Sequence, residues 1–90
     1  MSDAVNTLYA GTASPRVLAR CCNEAGNWDS LEAVELLARY VYHPAPVVRN
    51  GVVLGLGRLK KYYTAQAVLR VMRFDPVEKV REAAYKMLTQ

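Results

Sequence analysis

The sequence predicts an all-α fold, a stack of about three antiparallel helix pairs that forms a right-handed superhelical α-solenoid. Three observations predict it. First, the stretch from Leu36 to Leu59, LLARYVYHPAPVVRNGVVLGLGRL, returns 32 residues later as VLRVMRFDPVEKVREAAYKML from Val68 onward. Leu37 meets Leu69, Tyr42 meets Phe74, His43-Pro44 meets Asp75-Pro76, Val48-Arg49 meets Val80-Arg81, Val52 meets Ala84 and Leu56 meets Leu88. A register kept through a turn and two helices marks a repeat, and a unit that cannot bury its apolar face alone stacks on its copies. Second, apolar residues recur at helical spacing along the chain, and no segment alternates as a strand does. Third, Pro and Gly punctuate the chain at short links.

In chain order, residues 3–10 make a first helix, with Val5, Leu8 and Tyr9 on one face and Gly11 at its end. Ser14 offers an N-cap hydroxyl, Pro15 fits the first helical position, and Val17, Leu18, Cys21, Cys22 and Ala25 form the next stripe. Gly26 closes that helix as a C′ residue. Asp29 starts the third helix, with Glu32 completing a capping box, and Leu31, Val34, Leu37, Ala38 and Val41 point inward. Pro44 and Pro46 stop it and preset the fourth helix, whose apolar side is Val47, Val48, Val52, Leu56 and Leu59.

The fourth helix also holds Gly51, Gly55 and Gly57. An interior Gly costs about 1 kcal/mol against Ala. The compensation expected is close approach of a neighbouring helix, with a C-cap as the alternative for Gly57. Thr64 caps a fifth helix to Arg73, with Ala65, Val68, Leu69 and Met72 inward. Asp75-Pro76 opens a sixth, again with a Glu three residues after the acid, and Val77, Val80, Ala84, Met87 and Leu88 are its stripe. The reading is one domain over residues 1–90, with repeats at about 3–26, 30–59 and 64–89. The first lacks the His/Asp-Pro turn and the Val-Arg pair, as a terminal cap would.

Bulk properties bound the function. Ninety residues at 52% apolar suit one small folded domain, and mean hydropathy is near zero. No apolar run approaches the roughly 20 residues of a membrane helix. The N-terminus carries an early acid and no basic region, so no secretory signal is expected, and a cytoplasmic location is. Adjacent Cys21 and Cys22 cannot staple distant segments, and two thiols plus a remote His43 fall short of a zinc site. They read as small core hydrophobes. Net charge is +4, unevenly spread. Residues 1–45 hold three basic groups against five acids, and residues 46–90 hold nine against three.

The residues HPAPVVRNGVVLGLG at 43–57 and DPVEKVREAAYKML at 75–88 resemble the HEAT-repeat superfamily, in particular the short HEAT-like repeats named after phycobilisome lyases. In that family an Asp precedes a turn Pro, and a Val-Arg follows on the second helix. The likeness is good over residues 30–90 and weak over 3–26. It implies structural roles for Pro44, Pro76, Asp75, Arg49 and Arg81, each Arg reaching across to a neighbouring turn. His43 stands where the family has Asp, which weakens that ladder at one position. HEAT-like folds include alkyl-base DNA glycosylases, but those are far longer, and a lone Trp28 does not rebuild their aromatic cleft.

No catalytic residue, metal site or cofactor site is expected. His43 lacks a nucleophile beside it and a third group to orient it, and GLGRLKK at 55–61 ends a helix where a phosphate loop would open one. Two binding surfaces are the candidates. One is the less apolar side of the second helices, Asn50, Val53, Arg58, Lys79, Glu82 and Lys86, for a protein partner, an acidic one among the candidates. The other is the basic stretch Arg58, Lys60, Lys61, Tyr62, Tyr63, Arg70 and Arg73, for nucleic acid. The plain alternative for those cations is that Lys and Arg near a helix C-terminus complement its dipole. Self-association is a third reading, if Tyr9, Tyr40, Tyr42, Met72 and Tyr85 are left uncovered.

Overall fold

The computed structural model describes residues 3–90. Six helices follow in chain order: α1 (Asp3–Ala10), α2 (Pro15–Ala25), α3 (Leu31–Ala38), α4 (Pro46–Gly57), α5 (Tyr63–Met72) and α6 (Glu78–Thr89). The described residues contain no strand. The second helices of the pairs form the better-packed layer, α2 against α4 and α4 against α6, while α1, α3 and α5 touch one another more sparsely. The slab measures 30 × 26 × 16 Å, and its short dimension is two helix layers.

Local chemistry sets most of the helix ends. Gly11 takes a left-handed φ of 70° after α1, and the Tyr40 hydroxyl donates to the terminal carbonyl of Leu8. Ser14 Oγ accepts the Val17 N–H, and Pro15 opens α2 as expected. Gly26, however, is right-handed, at φ −62° and ψ −14°. Its lack of a side chain serves packing instead, because a Cβ there would collide with the Gly55 carbonyl of α4. Asp29 does not cap α3. Ser30 does, accepting the Glu32 N–H at 3.1 Å. The fifth helix starts one residue before Thr64, which is exposed, and Tyr62 at its N-cap makes no side-chain cap bond. Leu31 and Val47, expected inward, are exposed in the first turns of α3 and α4.

The two Pro turns are built alike. Asp75 Oδ1 accepts the Val77 N–H at 2.9 Å, and His43 Nδ1 accepts the Ala45 N–H at 3.0 Å. His43 therefore shapes its turn as an Asp does. Aligning the helix starts at Pro15 and Pro46 puts buried Leu18 in the place of Arg49, so no guanidinium on α2 calls for a carboxylate at position 43.

The core runs between the layers, and α4 is its axis. Val48, Val52, Val53 and Leu56 are all fully buried, so α4 is enclosed on several sides. Gly51 and Gly55 lie against the backbone of α2 at Ala19 and Cys22, and Gly57 lies against Met87 of α6. Cys21 and Cys22 are buried free thiols, and burial, then Cys21 beside it, pushes the Cys22 thiol up to about 12. No helix among the described residues is long and apolar enough to cross a membrane.

Candidate protein-interaction surface

Arg49 enters near the start of α4 and is 7% exposed. Its Nε donates to Asp75 Oδ2 at 2.8 Å and its Nη2 to Asp75 Oδ1 at 3.2 Å, a two-pronged grip on the next turn. Its Nη1 donates to the carbonyls of His43 at 2.7 Å and Pro44 at 3.2 Å. One guanidinium thus ties two successive turns. Arg81 makes the corresponding inner bond, Nη1 to the Asp75 carbonyl at 2.7 Å.

The basic stretch after α4 is spent largely on helix ends. Arg58 Nη2 donates to the carbonyl and side-chain oxygen of Asn23 at the end of α2. Lys60 reaches the other way and donates to the carbonyls of Met87 at 2.6 Å and Gln90 at 3.0 Å, at the end of α6. Cations at these carbonyls complement both helix dipoles. Lys61 pairs with exposed Asp29 at 2.6 Å, and the Tyr62 hydroxyl donates to the same carboxylate at 3.0 Å. These bonds hold the Asp29 carboxyl below its usual range and the Lys61 ammonium above its own. Tyr62 rises as well, through desolvation and then its bond to Asp29.

Tyr63 and Arg70 stack on the outside of α5, the guanidinium 5.8 Å from the ring centre. Arg73 lies at the opposite end of that helix, 5.3 Å from the Tyr85 ring. Tyr63 and Arg73 stand ten residues, about 15 Å, apart along α5, and Arg70, three residues before Arg73, turns its guanidinium back to Tyr63. The seven residues from Arg58 to Arg73 therefore do not form one track.

The second-helix surface gathers most of its predicted members. Asn50 shares a groove between α4 and α6 with Val47, Val77 and Lys79. Glu82 and Lys86 continue along α6 and are exposed. Two members do not belong. Val53 is 0% exposed, because α4 is covered on the side that it faces, and Arg58 is turned toward α2. Lys79, Glu82 and Lys86 have no hydrogen-bond or ion-pair partner among the described residues.

Of the five residues proposed for self-association, Tyr40 and Met72 are buried in the core and Tyr9, Tyr42 and Tyr85 are exposed. The sequence reading missed one exposed feature. Phe74 is 85% exposed beside Tyr42 at 84%, at equivalent turn positions that flank a groove lined by Val41, Val71 and Met72. The 32-residue register that pairs the two rings was the available signal. Among the described residues, no group of three His, Cys, Asp or Glu side chains could hold a metal ion.

No curated protein matches the chain, and no solved structure matches it. The family model for HEAT repeats matches residues 4–89. The chain belongs to the HEAT-repeat family.

Proposed function

We infer that the chain is a small protein-interaction module, an adaptor or assembly factor without catalytic chemistry of its own, and that its partner lies on the solvent face of α4 and α6. HEAT repeats are in general protein-interaction modules. The observation that carries the reading is the contrast in how cations are used. Arg58, Lys60 and Lys61 are engaged by carbonyls or a carboxylate of this chain, whereas Lys79 and Lys86 stand exposed without partners on the second-helix face. Lys79 in the Val47–Val77 groove, with Lys86 two turns further along α6, suits a partner that brings acidic and apolar groups together. The finer likeness to short repeats named after phycobilisome lyases rests on the turn and Val-Arg motif and concerns the scaffold.

The test is affinity capture with the tagged chain, nuclease-treated, beside a Lys79→Glu/Lys86→Glu variant. Specific partners are expected with the parent chain and lost with the variant. Full retention by the variant would move the contact elsewhere. Nucleic acid is the weaker reading, because the basic stretch is dispersed. Single- and double-stranded oligonucleotides are expected to show no mobility shift even at about 50 mM salt, where phosphate contacts are strongest.

A further inference from the structure

This inference rests on the protein-binding reading and names the chemistry of one part of the partner. Each second helix turns one row of residues, four apart, toward the following pair. On α2 the row is Leu18, Cys22 and Gly26, and Cys22 and Gly26 abut Gly55 of α4. On α4 it is Arg49, Val53 and Gly57, with Arg49 on Asp75 and Gly57 on Met87. On α6 the equivalent row is Arg81, Tyr85 and Thr89, and among the described residues no helix packs over it. Tyr85 is 53% exposed in the place where Val53 is fully buried.

Arg81 repeats half of what Arg49 does. Its Nη1 bond to the Asp75 carbonyl matches the Arg49 bond to the His43 carbonyl, both at 2.7 Å. The other edge of Arg49, Nε and Nη2, holds the Asp75 carboxylate. The same two donors of Arg81 have no partner among the described residues. The inner bond orients the fork before any ligand arrives, so less freedom is lost on binding. Around it lies a shallow cleft lined by Arg73, Arg81, Glu82, Tyr85 and Lys86, three cations against one acid.

We propose that this cleft is a carboxylate seat for an acidic segment of a protein partner, with Arg81 gripping an Asp or Glu side chain as Arg49 grips Asp75. The occupant is a partner's loop or helix start. A second copy stacked head to tail would offer its α1–α2 turn, Gly11 to Ser14, which has no carboxylate. Tyr85 and Thr89 replace Val53 and Gly57, so another helix cannot lie on α6 as closely as α6 lies on α4. A phosphate backbone would meet Glu82, and the cations that could extend a track, Arg58, Lys60 and Lys61, are engaged elsewhere.

The test is an NMR titration of the full 15N-labelled chain with a blocked pentapeptide, Phe-Asp-Pro-Val-Gln, to about 10 mM, a range that reaches contacts of millimolar strength. The control peptide has Asn for Asp. The Arg81 Nε–H signal and the amides of Tyr85 and Lys86 are expected to shift and saturate, and the control to bind about tenfold more weakly. Arg81→Lys keeps one donor for the Asp75 carbonyl but loses the fork, and is expected to weaken binding by a similar factor. Lys86→Glu, on the surface, is expected to weaken it without changing the fold.

No saturable shift, equal binding of the Asn peptide, or unchanged binding by Arg81→Lys would overturn the proposal. So would tighter binding of a ten-residue oligothymidylate at the same resonances, which would assign the cleft to nucleic acid. Partner proteins captured equally by the parent chain and Arg81→Lys would overturn the seat and leave the protein-binding reading of the second-helix face standing.

Discussion

Replacing Arg49 with Met tests what fastens the second repeat to the third. Methionine keeps much of the stem volume and deletes the guanidinium. Two charge-assisted bonds to Asp75 go, as do those to the His43 and Pro44 carbonyls. Asp75 then keeps only the Val77 N–H, with a side chain 5% exposed. Breaking a buried pair from one side costs about 3–5 kcal/mol. A domain of this size has roughly 5–13 kcal/mol in all, so the variant is expected to lose about 4 kcal/mol and to melt about 15–30 °C lower.

Asp75→Asn keeps an acceptor and is expected to cost about 2 kcal/mol. The double variant should be little worse than Arg49→Met alone, a coupling of about 2 kcal/mol. Replacing both partners with apolar residues should not restore stability, because each also serves backbone groups outside the pair. Urea unfolding followed by circular dichroism, with equal m-values, measures all of this. A loss under 1 kcal/mol for Arg49→Met, or strict additivity in the cycle, would refute the reasoning.

The glycines separate by what their missing Cβ would meet. Gly55→Ala presses on the Cys22 carbonyl, which is backbone and cannot yield, and should cost about 2–3 kcal/mol in urea unfolding. Gly57→Ala meets the flexible Met87 side chain and gains helix propensity, so it should stay within about 1 kcal/mol of the parent chain. Lys60→Met uncaps α6 and should cost about 0.5–1 kcal/mol, with faster hydrogen exchange confined to the last turn of that helix. Cys22 is neutral in the folded chain up to about pH 12 but ionises near pH 9 when unfolded. Its contribution is intact below pH 9 and falls above it by about 1.4 kcal/mol per pH unit. Buried Tyr40, raised by desolvation, acts in the same direction at higher pH. Stability measured from pH 8 to 11 should fall with this slope in the parent chain and more gently in Cys22→Ala.

What could be read from the sequence was what adjacent residues decide among themselves. Pro15, Ser14 and Gly11 act within a few positions, and each ends or starts a helix where expected, as Pro46 does for α4; α3 instead ends at Ala38, well before Pro44, and α6 begins at Glu78, two residues past Pro76. The misreadings fall where a distant partner decides. Asp29 and Ser30 can both cap a helix; Lys61 and Tyr62, some 32 residues on, engage Asp29 and leave the cap to Ser30. Gly26 looks like a helix terminator, yet it is the helix across from it that needs the space. Val53 looked like a peripheral position because periodicity assumes one apolar face, whereas α4 has neighbours on several sides. The dipole role of the basic stretch was visible as an alternative. That Arg58 turns to α2 and Lys60 to α6 was not, because contiguous residues give no hint of diverging.

The central helix explains why the unpartnered cations lie on α6. α4 carries three glycines in twelve residues, a propensity deficit of about 3 kcal/mol, so it owes its helical state to its neighbours. α2 and α6 supply that support by approaching where no side chain intervenes. The arrangement consumes α4: Val53 is covered, Arg49 is committed to Asp75, and Arg58 at its C-cap is turned to Asn23. α6 has Ala83, Met87 and Thr89 where α4 has its glycines, so it needs less support. It carries the same Arg with the outer edge unoccupied. The repeats fasten to one another through a guanidinium, and at Arg81 the outer edge of that guanidinium has no partner among the described residues while the inner edge holds it oriented.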